Sequence, residues 1–333
     1  MARQSQEDQV HEPVLLDEVI HWLRPDRGGT FVDCTLGLGG HAEAFLTASN
    51  RARVIGIDRD AEALTIACAR LARFADRLRI AHSNFIDIES VLALMGENEV
   101  SGVLADRGVS SLQLNKAERG FSFSSESPLD MRMDVEQRQT AADLVNILAE
   151  DKLADLIFEY GDERGARKIA RAIVNRRHRH PITTTKELAD IVIRALKIPG
   201  RWRIHPATRT FQALRIAVND EIQSLNRFIP AAISKLMPSG RLAIISFHSL
   251  EDRIVKRTFL RESGRCVCEA KPLEGARMRL STQGTERDRL ICAQCGARLR
   301  IEILTRKPVR PGAEEISRNP RSRSAMMRVC ERL

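Results

Sequence analysis

Apolar and polar positions along this chain follow two rhythms, and the places where one gives way to the other divide it into segments. Leu15, Val19, Trp22 and Leu23 recur at helical spacing, which predicts an amphipathic helix between Pro13 and Leu23. Phe31-Val32-Asp33-Cys34 is a short strand, followed by a glycine cluster and a helical stretch from His41 to Ser49. Arg53 to Asp58 predicts a second strand, and Ala61 to Phe74 its helix. Leu78-Arg79-Ile80-Ala81 opens a third strand, and Gly102 to Asp106 closes a fourth. Strands alternating with helices in this way predict a parallel sheet with helices on both faces.

After Asp106 the rhythm changes. From Asn115 to His205 the chain reads as mainly helical and markedly basic. Thr184 with Glu187 matches a capping box, and Leu188, Ile191, Val192, Ala195 and Leu196 follow it at helix spacing. A helix around Thr210 to Met237 and the apolar strand Leu242 to Phe247 then resume the first rhythm. Ser263 to Arg298 has little apolar periodicity and reads as an irregular excursion, while Arg300 to Leu304 and Ala325 to Val329 predict the last two strands. The expected organisation is an α/β, Rossmann-like sheet domain in two parts, residues 1–114 and 206–333, with an inserted helical domain at 115–205.

Composition narrows the function classes. Charged residues make up 29% and hydrophobic residues 43% of the 333, as in an ordinary globular chain. The formal net charge is +9, which draws polyanions and makes RNA, DNA or an anionic membrane surface a natural partner. A merely solvated basic surface fits the charge equally well. No apolar run reaches the ~18 residues of a membrane span, and Met1 to Val10 lacks the apolar core of a secretion signal. The expectation is a cytoplasmic protein with no membrane partner, whose seven cysteines are not a disulfide framework.

Ligands of open α/β sheets bind at the carboxyl ends of the strands. Asp33 with Gly37-Leu38-Gly39-Gly40-His41, Asp58, Asn84-Phe85 and Asp106 all fall there. Glycines let the backbone pass close to a ligand and turn into a helix with free N–H donors. Asp58 lies about 18 residues beyond Gly40, near the spacing of a ribose-gripping carboxylate. A nicotinamide dinucleotide would place its pyrophosphate here, and Asp33 would repel it. An acid beside the turn suits an ammonium group instead, which favours S-adenosyl-L-methionine. An ordinary strand-to-helix turn is the plain alternative, and acids at three strand ends weigh against it. Phe85 is placed to stack on adenine or simply to pack in the core.

Longer stretches carry a family resemblance. They are His11 to Leu16, Gly37 to His41, Asp106 to Leu114 (Asp-Arg-Gly-Val-Ser-Ser-Leu-Gln-Leu), Ala117 to Phe123, Pro128 to Asp134, His205 to Arg215, Ser246 to Arg253 and Asn319 to Ala325. Together they resemble the bacterial ribosomal RNA small-subunit methyltransferase H family, also called MraW, from about His11 to Val329. The resemblance implies a class I methyltransferase sheet with an inserted helical substrate-recognition domain. It implies transfer of a methyl group from S-adenosylmethionine to N4 of cytosine 1402 in 16S rRNA, at the decoding centre of the small ribosomal subunit. It assigns the cofactor to Gly39, Gly40, His41, Asp58, Phe85, Asp106 and Gln113. It leaves the oligomeric state open between a monomer and a homodimer. Two positions depart from the family pattern: Arg107 stands for Leu and Leu112 for Pro. Arg107 could alter the pocket wall or reach an RNA phosphate.

The sulfonium already activates the methyl group, so the enzyme mainly aligns nitrogen, carbon and sulfur. Cytosine N4 is a weak nucleophile, and an acceptor for its protons would localise the lone pair. Asp106 is the candidate catalytic residue, with Ser110 and Ser111 as helpers; holding the cofactor is its competing role. A paired or stacked cytosine cannot reach such a pocket and must be flipped or single-stranded. Arg164, Arg167, Lys168, Arg171, Arg176, Arg177, Arg179, Arg201, Arg203 and Arg209 are candidate phosphate contacts as a set. Cys266-Val-Cys268 and Cys292-Ala-Gln-Cys295 have about 23 residues between the pairs, and could be either a structural zinc site or free thiols. Cys34 and Cys68 read as packing residues, and His248 with Glu251 as substrate-side or core residues rather than metal ligands.

Overall fold

The computed structural model describes residues 12–108, 111–123, 126–197, 202, 205–268, 279–280 and 290–333. In chain order the elements are α1 (Leu16–Leu23), β1 (Gly29–Asp33), α2 (Gly40–Ala48), β2 (Ala52–Asp58), α3 (Ala61–Arg70), β3 (Leu78–His82), α4 (Ile88–Leu94) and β4 (Val100–Asp106). Then follow α5 (Ser111–Asn115), α6 (Ala141–Ile147), α7 (Glu150–Gly161), α8 (Ala166–Arg177), α9 (Thr185–Leu196), α10 (Thr208–Val218) and α11 (Glu221–Lys235). The chain closes with β5 (Leu236–Ser246), α12 (Ser249–Glu262), β6 (Arg279–Leu280), β7 (Leu290–Ile291), β8 (Ile301–Ile303), α13 (Ala313–Arg318) and β9 (Met326–Arg332).

Seven strands form one sheet in the order β3-β2-β1-β4-β5-β9-β8. β1 to β5 pair in parallel, and β9 runs antiparallel to both β5 and β8. The chain reverses its progress across the sheet between β1 and β4, the place where such folds bind ligands. Side-chain alternation sorts neighbours to opposite faces. Val32, Ile55, Ile57, Val103, Leu242 and Ile244 join one core with Phe228 of α11 and Phe259 of α12. Phe31, Val54, Leu104, Ala243 and Ile245 join the other with Leu15, Phe45 and Leu46. Burial on both faces explains why these strands read as unbroken apolar runs.

The chain divides into two compact units, residues 1–108 with 224–333 and residues 109–223. The boundaries drawn on the sequence at 114 and 205 therefore shift outward. α10 is the reason. It packs on α7 inside the second unit, where a Cβ on Gly161 would meet the carbonyl oxygen of Arg209 at 2.6 Å, so only glycine lets the two helices approach this closely. The core of this unit joins Leu144, Leu153, Ile157, Ile169, Ile173, Leu188 and Val192 to Phe211 and Leu214 of α10.

The stretch from Asn115 to Thr140, expected as helix, is mostly irregular. Arginines take the place of helical hydrogen bonds there. Arg119 Nη2 donates to the Met133 carbonyl at 2.9 Å, and Arg132 Nη1 donates to those of Val135 and Gln137 at 2.8 and 2.6 Å. The expected box at Thr184 is half built: Thr184 Oγ1 accepts from the Glu187 N–H at 3.2 Å, but the Glu187 carboxylate pairs with Arg176 at 2.5 Å. A complete box stands at Thr140 and Asp143 instead. Cys34 is buried as expected, whereas Cys68 lies on the exposed side of α3 and is not a packing residue.

Candidate active site

The turn after β1 is stitched to the strands on either side. The Cys34 N–H donates to Leu104 O of β4 at 2.9 Å, and the Leu36 N–H to Ile57 O of β2 at 3.0 Å. Thr35 braces it twice: its N–H donates to Asp33 Oδ1 at 3.2 Å, and its Oγ1 accepts from the Asp106 N–H at 2.7 Å. Gly39 caps α2 with φ +81°, a left-handed conformation that favours glycine. A Cβ on Gly40 would lie 2.4 Å from Cγ of Pro13. His41 is buried, and its Nε2 lies 3.0 Å from the carbonyl oxygen of Val14. The segment preceding α1 is thus clasped to the start of α2.

The acids expected at the strand ends come together around this turn. Asp58 Oδ2 accepts from the Gly37 N–H at 2.7 Å and its Oδ1 from the Asp60 N–H at 3.0 Å, so the carboxylate shapes the turn as well as facing it. Asp33 is 1% exposed, and its Oδ2 has no hydrogen-bond partner among the described residues. The same holds for Oδ1 of Asp106. Burial pushes Asp33 up to about 7, helped by the charges of Asp106 and Asp58 and opposed by the Thr35 N–H. Burial pushes Asp106 up to about 7 as well, helped by the charge of Glu251 and opposed by the Gly108 N–H. Asp58 is raised by the same burial, against the N–H groups of Asp60 and Gly37.

Buried carboxylates held above their ordinary range, two of them with one oxygen that nothing described bonds, form a site that a cation would relieve. S-adenosylmethionine carries an ammonium and a sulfonium, so the chemistry of the acids fits it. A pyrophosphate would meet carboxylates in place of the donors it needs.

Phe85 departs from the simple expectation of an adenine platform. It is 6% exposed and meets Phe228 edge-on, with ring centroids 5.1 Å apart. The Arg107 guanidinium lies over its ring at 4.4 Å from the centroid. Arg107 is itself 6% exposed, with Nε 3.7 Å from Oε1 of the fully buried Glu251. Of the two roles open to Arg107, its burial between Phe85 and Glu251 suits a place in the wall better than a phosphate contact. Glu251 Oε2 also accepts from the Phe247 N–H at 3.0 Å, while His248 caps α12 and lies 3.3 Å from that same oxygen. This places His248 and Glu251 in the frame behind Asp106. Sequence reasoning missed Thr35 and the Arg107–Glu251 pair; the polar Thr35 directly after Asp33-Cys34 was the available signal.

Gln113 is buried in the other unit, on α5. Ser110, Arg201 and Arg203 lie outside the described residues. Of the other basic residues, Arg171 pairs with Glu150 at 3.3 Å, Arg177 donates to Val145 O at 2.8 Å and Arg209 donates to Asp162 O at 3.2 Å. Arg164, Arg167, Lys168 and Arg179 are exposed and make no ion pair among the described residues. Among those residues no helix is long and apolar enough to cross a membrane.

Comparison with known proteins places the chain among its relatives. A protein called ribosomal RNA small subunit methyltransferase H from Geobacter sulfurreducens is 49% identical over 326 residues, covering 97% of this chain and 99% of its own. The protein of the same name from Carboxydothermus hydrogenoformans is 46% identical over 323 residues, covering 97% and 98%. Among solved structures, an rRNA methylase from Streptococcus thermophilus aligns over 96% of this chain and 93% of its own, with TM-score 0.40 and 9% identity. That is too distant to add to what the strand order says. The model of the MraW methylase family matches residues 8–333. Matched nearly end to end by the family model and by these relatives, the chain belongs to the MraW methylase family.

Proposed function

We propose that this enzyme transfers the methyl group of S-adenosylmethionine to N4 of cytosine 1402 in 16S rRNA of the small ribosomal subunit, acting in the cytoplasm. The observation that supports this best is the pair Asp33 and Asp106 beside the Gly37–Gly40 turn, each with a buried carboxylate oxygen that nothing described bonds. The coarser reading, methylation of small-subunit rRNA, rests on relatives that bear that name and match almost the whole chain.

When bound, the cofactor supplies an activated methyl group on a sulfonium. Asp33 and Asp58 hold the charged and polar ends of such a ligand, and Gly39 and Gly40 let the backbone approach it. Asp106 stands at the carboxyl end of β4 and orients the incoming amine. Its free Oδ1 accepts an N4 proton, which localises the nitrogen lone pair for in-line attack. Thr35 fixes the backbone of Asp106 from one side, and Arg107 with Glu251 fixes its surroundings from the other. Gln113 is assigned to the cofactor with the other family positions. The exposed basic residues Arg164, Arg167, Lys168 and Arg179 bind phosphates of the rRNA, whose target base must be unstacked to enter the site.

The deciding experiment is methyl transfer to small subunits that lack the modification, followed by mapping of the modified nucleotide. Label at N4 of cytosine 1402 is the expected result. Label at another nucleotide, or on another atom of that cytosine, overturns the proposal.

A further inference from the structure

Cys266, Cys268, Cys292 and Cys295 belong to the sheet unit and are not among the residues of the site described above. Their sulfur atoms all lie within 4.8 Å of one another. The separations are 3.7 Å from Cys266 to Cys292, 3.9 Å from Cys268 to Cys292 and 3.8 Å from Cys266 to Cys295. A disulfide needs sulfurs about 2.05 Å apart. A tetrahedron of sulfurs around one zinc ion, with bonds of about 2.3 Å, has edges of about 3.8 Å. The observed separations match the second geometry and not the first.

The local backbone also suits a metal. Cys292 to Gly296 forms a tight knuckle. The Gly296 N–H donates to Cys292 O at 2.8 Å, Gly296 adopts φ +69°, and the Cys292 N–H donates to Ala297 O at 2.9 Å. On the other side, Arg257 Nη2 reaches the carbonyl of Val267, between the two remaining cysteines, at 3.5 Å. Arg253, Arg257 and Arg261 line one cavity with Cys268 and Cys295. Four thiolates and one divalent ion leave two net negative charges, which neighbouring arginines offset.

The excursion begins and ends at the bridge between Ser263 and Leu299, where Gly264 N–H donates to Arg298 O at 3.0 Å and Arg298 N–H to Arg261 O at 2.9 Å. Between those points Ala297 is fully buried, and the only described strands are the two-residue pair β6 and β7.

We propose that these four cysteines bind a single structural zinc ion, tetrahedrally, which ties the start of the excursion after α12 to its return before β8. The metal plays no part in the reaction; it fixes the fold of this segment.

The full-length chain, purified without added metal or chelator, tests this directly by elemental analysis. About one zinc per chain is expected, released when four thiols are titrated with an organomercurial. Exchange for cobalt should give the strong visible bands of a tetrahedral site, with sulfur-to-metal charge transfer. Cys292→Ser should lose the metal, and Cys68→Ser, remote in sequence and outside the cluster, should keep it. Less than a tenth of an equivalent of zinc in the wild-type chain, iron in its place, or a disulfide among the four overturns the proposal. Because those readouts use the wild-type chain, a misfolded Cys292→Ser protein does not blunt them.

Discussion

The guanidinium of Arg107 lies over the ring of Phe85, 4.4 Å from its centroid, with its Nε 3.7 Å from a carboxylate oxygen of Glu251. Arg107 is thus tied on one side to a candidate cofactor residue and on the other to the frame behind Asp106. Both charges are almost completely buried. Removing one member of a buried pair costs about 3–5 kcal/mol, because the other stays behind without it. Arg107→Leu should therefore lower the urea midpoint strongly. Arg107→Leu with Glu251→Gln should recover a large part of the loss, since no buried charge is then stranded. Equal destabilisation in the single and double variants would show that the pair is not coupled.

Little of this was visible in the sequence. Strands that are buried on both faces announce themselves by composition, and the glycine turn with acids at the strand ends needs only local reading. The sequence left two roles open for Arg107 because its partners, Phe85 and Glu251, come from distant segments. The same limit applies to α10, whose pattern suits either unit equally well until Gly161 lets it close on α7. It applies again to the coil from Asn115 to Thr140, where Arg119 and Arg132 supply hydrogen bonds that no periodicity encodes.

The two raised acids set a pH dependence. Asp33 and Asp106 stand at about 7 in the ligand-free protein, against the ordinary value of 3.8. The folded state therefore holds protons that the unfolded chain releases. The stability from these groups is fully present below about 4 and is lost as pH rises towards 7. Binding of a cationic cofactor has the opposite sign, because it requires the charged carboxylates. Affinity for S-adenosylmethionine, measured by calorimetry between pH 5.5 and 8.5, should weaken below 7 by up to about tenfold per pH unit for each acid that must ionise. Asp33→Asn should flatten part of that slope. An affinity independent of pH in the wild-type protein contradicts the assignment.

Asp106→Asn separates the two roles open to Asp106. The amide keeps the shape and the backbone bond to Thr35 but is a poor proton acceptor. If Asp106 orients and deprotonates the amine, cofactor affinity stays within about threefold while turnover falls by about a hundredfold or more. If Asp106 only holds the cofactor, affinity collapses and turnover at saturating cofactor survives. Binding and single-turnover rates measured on the same preparation decide between them.

The basic residues split into two groups that a salt titration can tell apart. Arg176 and Arg177 are committed to Glu187 and to the Val145 carbonyl, so replacing them should cost stability more than RNA affinity. Arg164, Arg167, Lys168 and Arg179 are exposed without ion pairs among the described residues and are free to displace counterions from RNA. Each phosphate contact contributes about 0.7 to 0.9 to the slope of log affinity against log salt. Replacing all four with Gln should lower that slope by about 3 and leave the melting temperature and cofactor affinity close to wild type. Arg107→Leu, whose charge is buried, should leave the slope unchanged. A quadruple variant with the wild-type salt slope would remove this face of the helical unit from the RNA-binding surface.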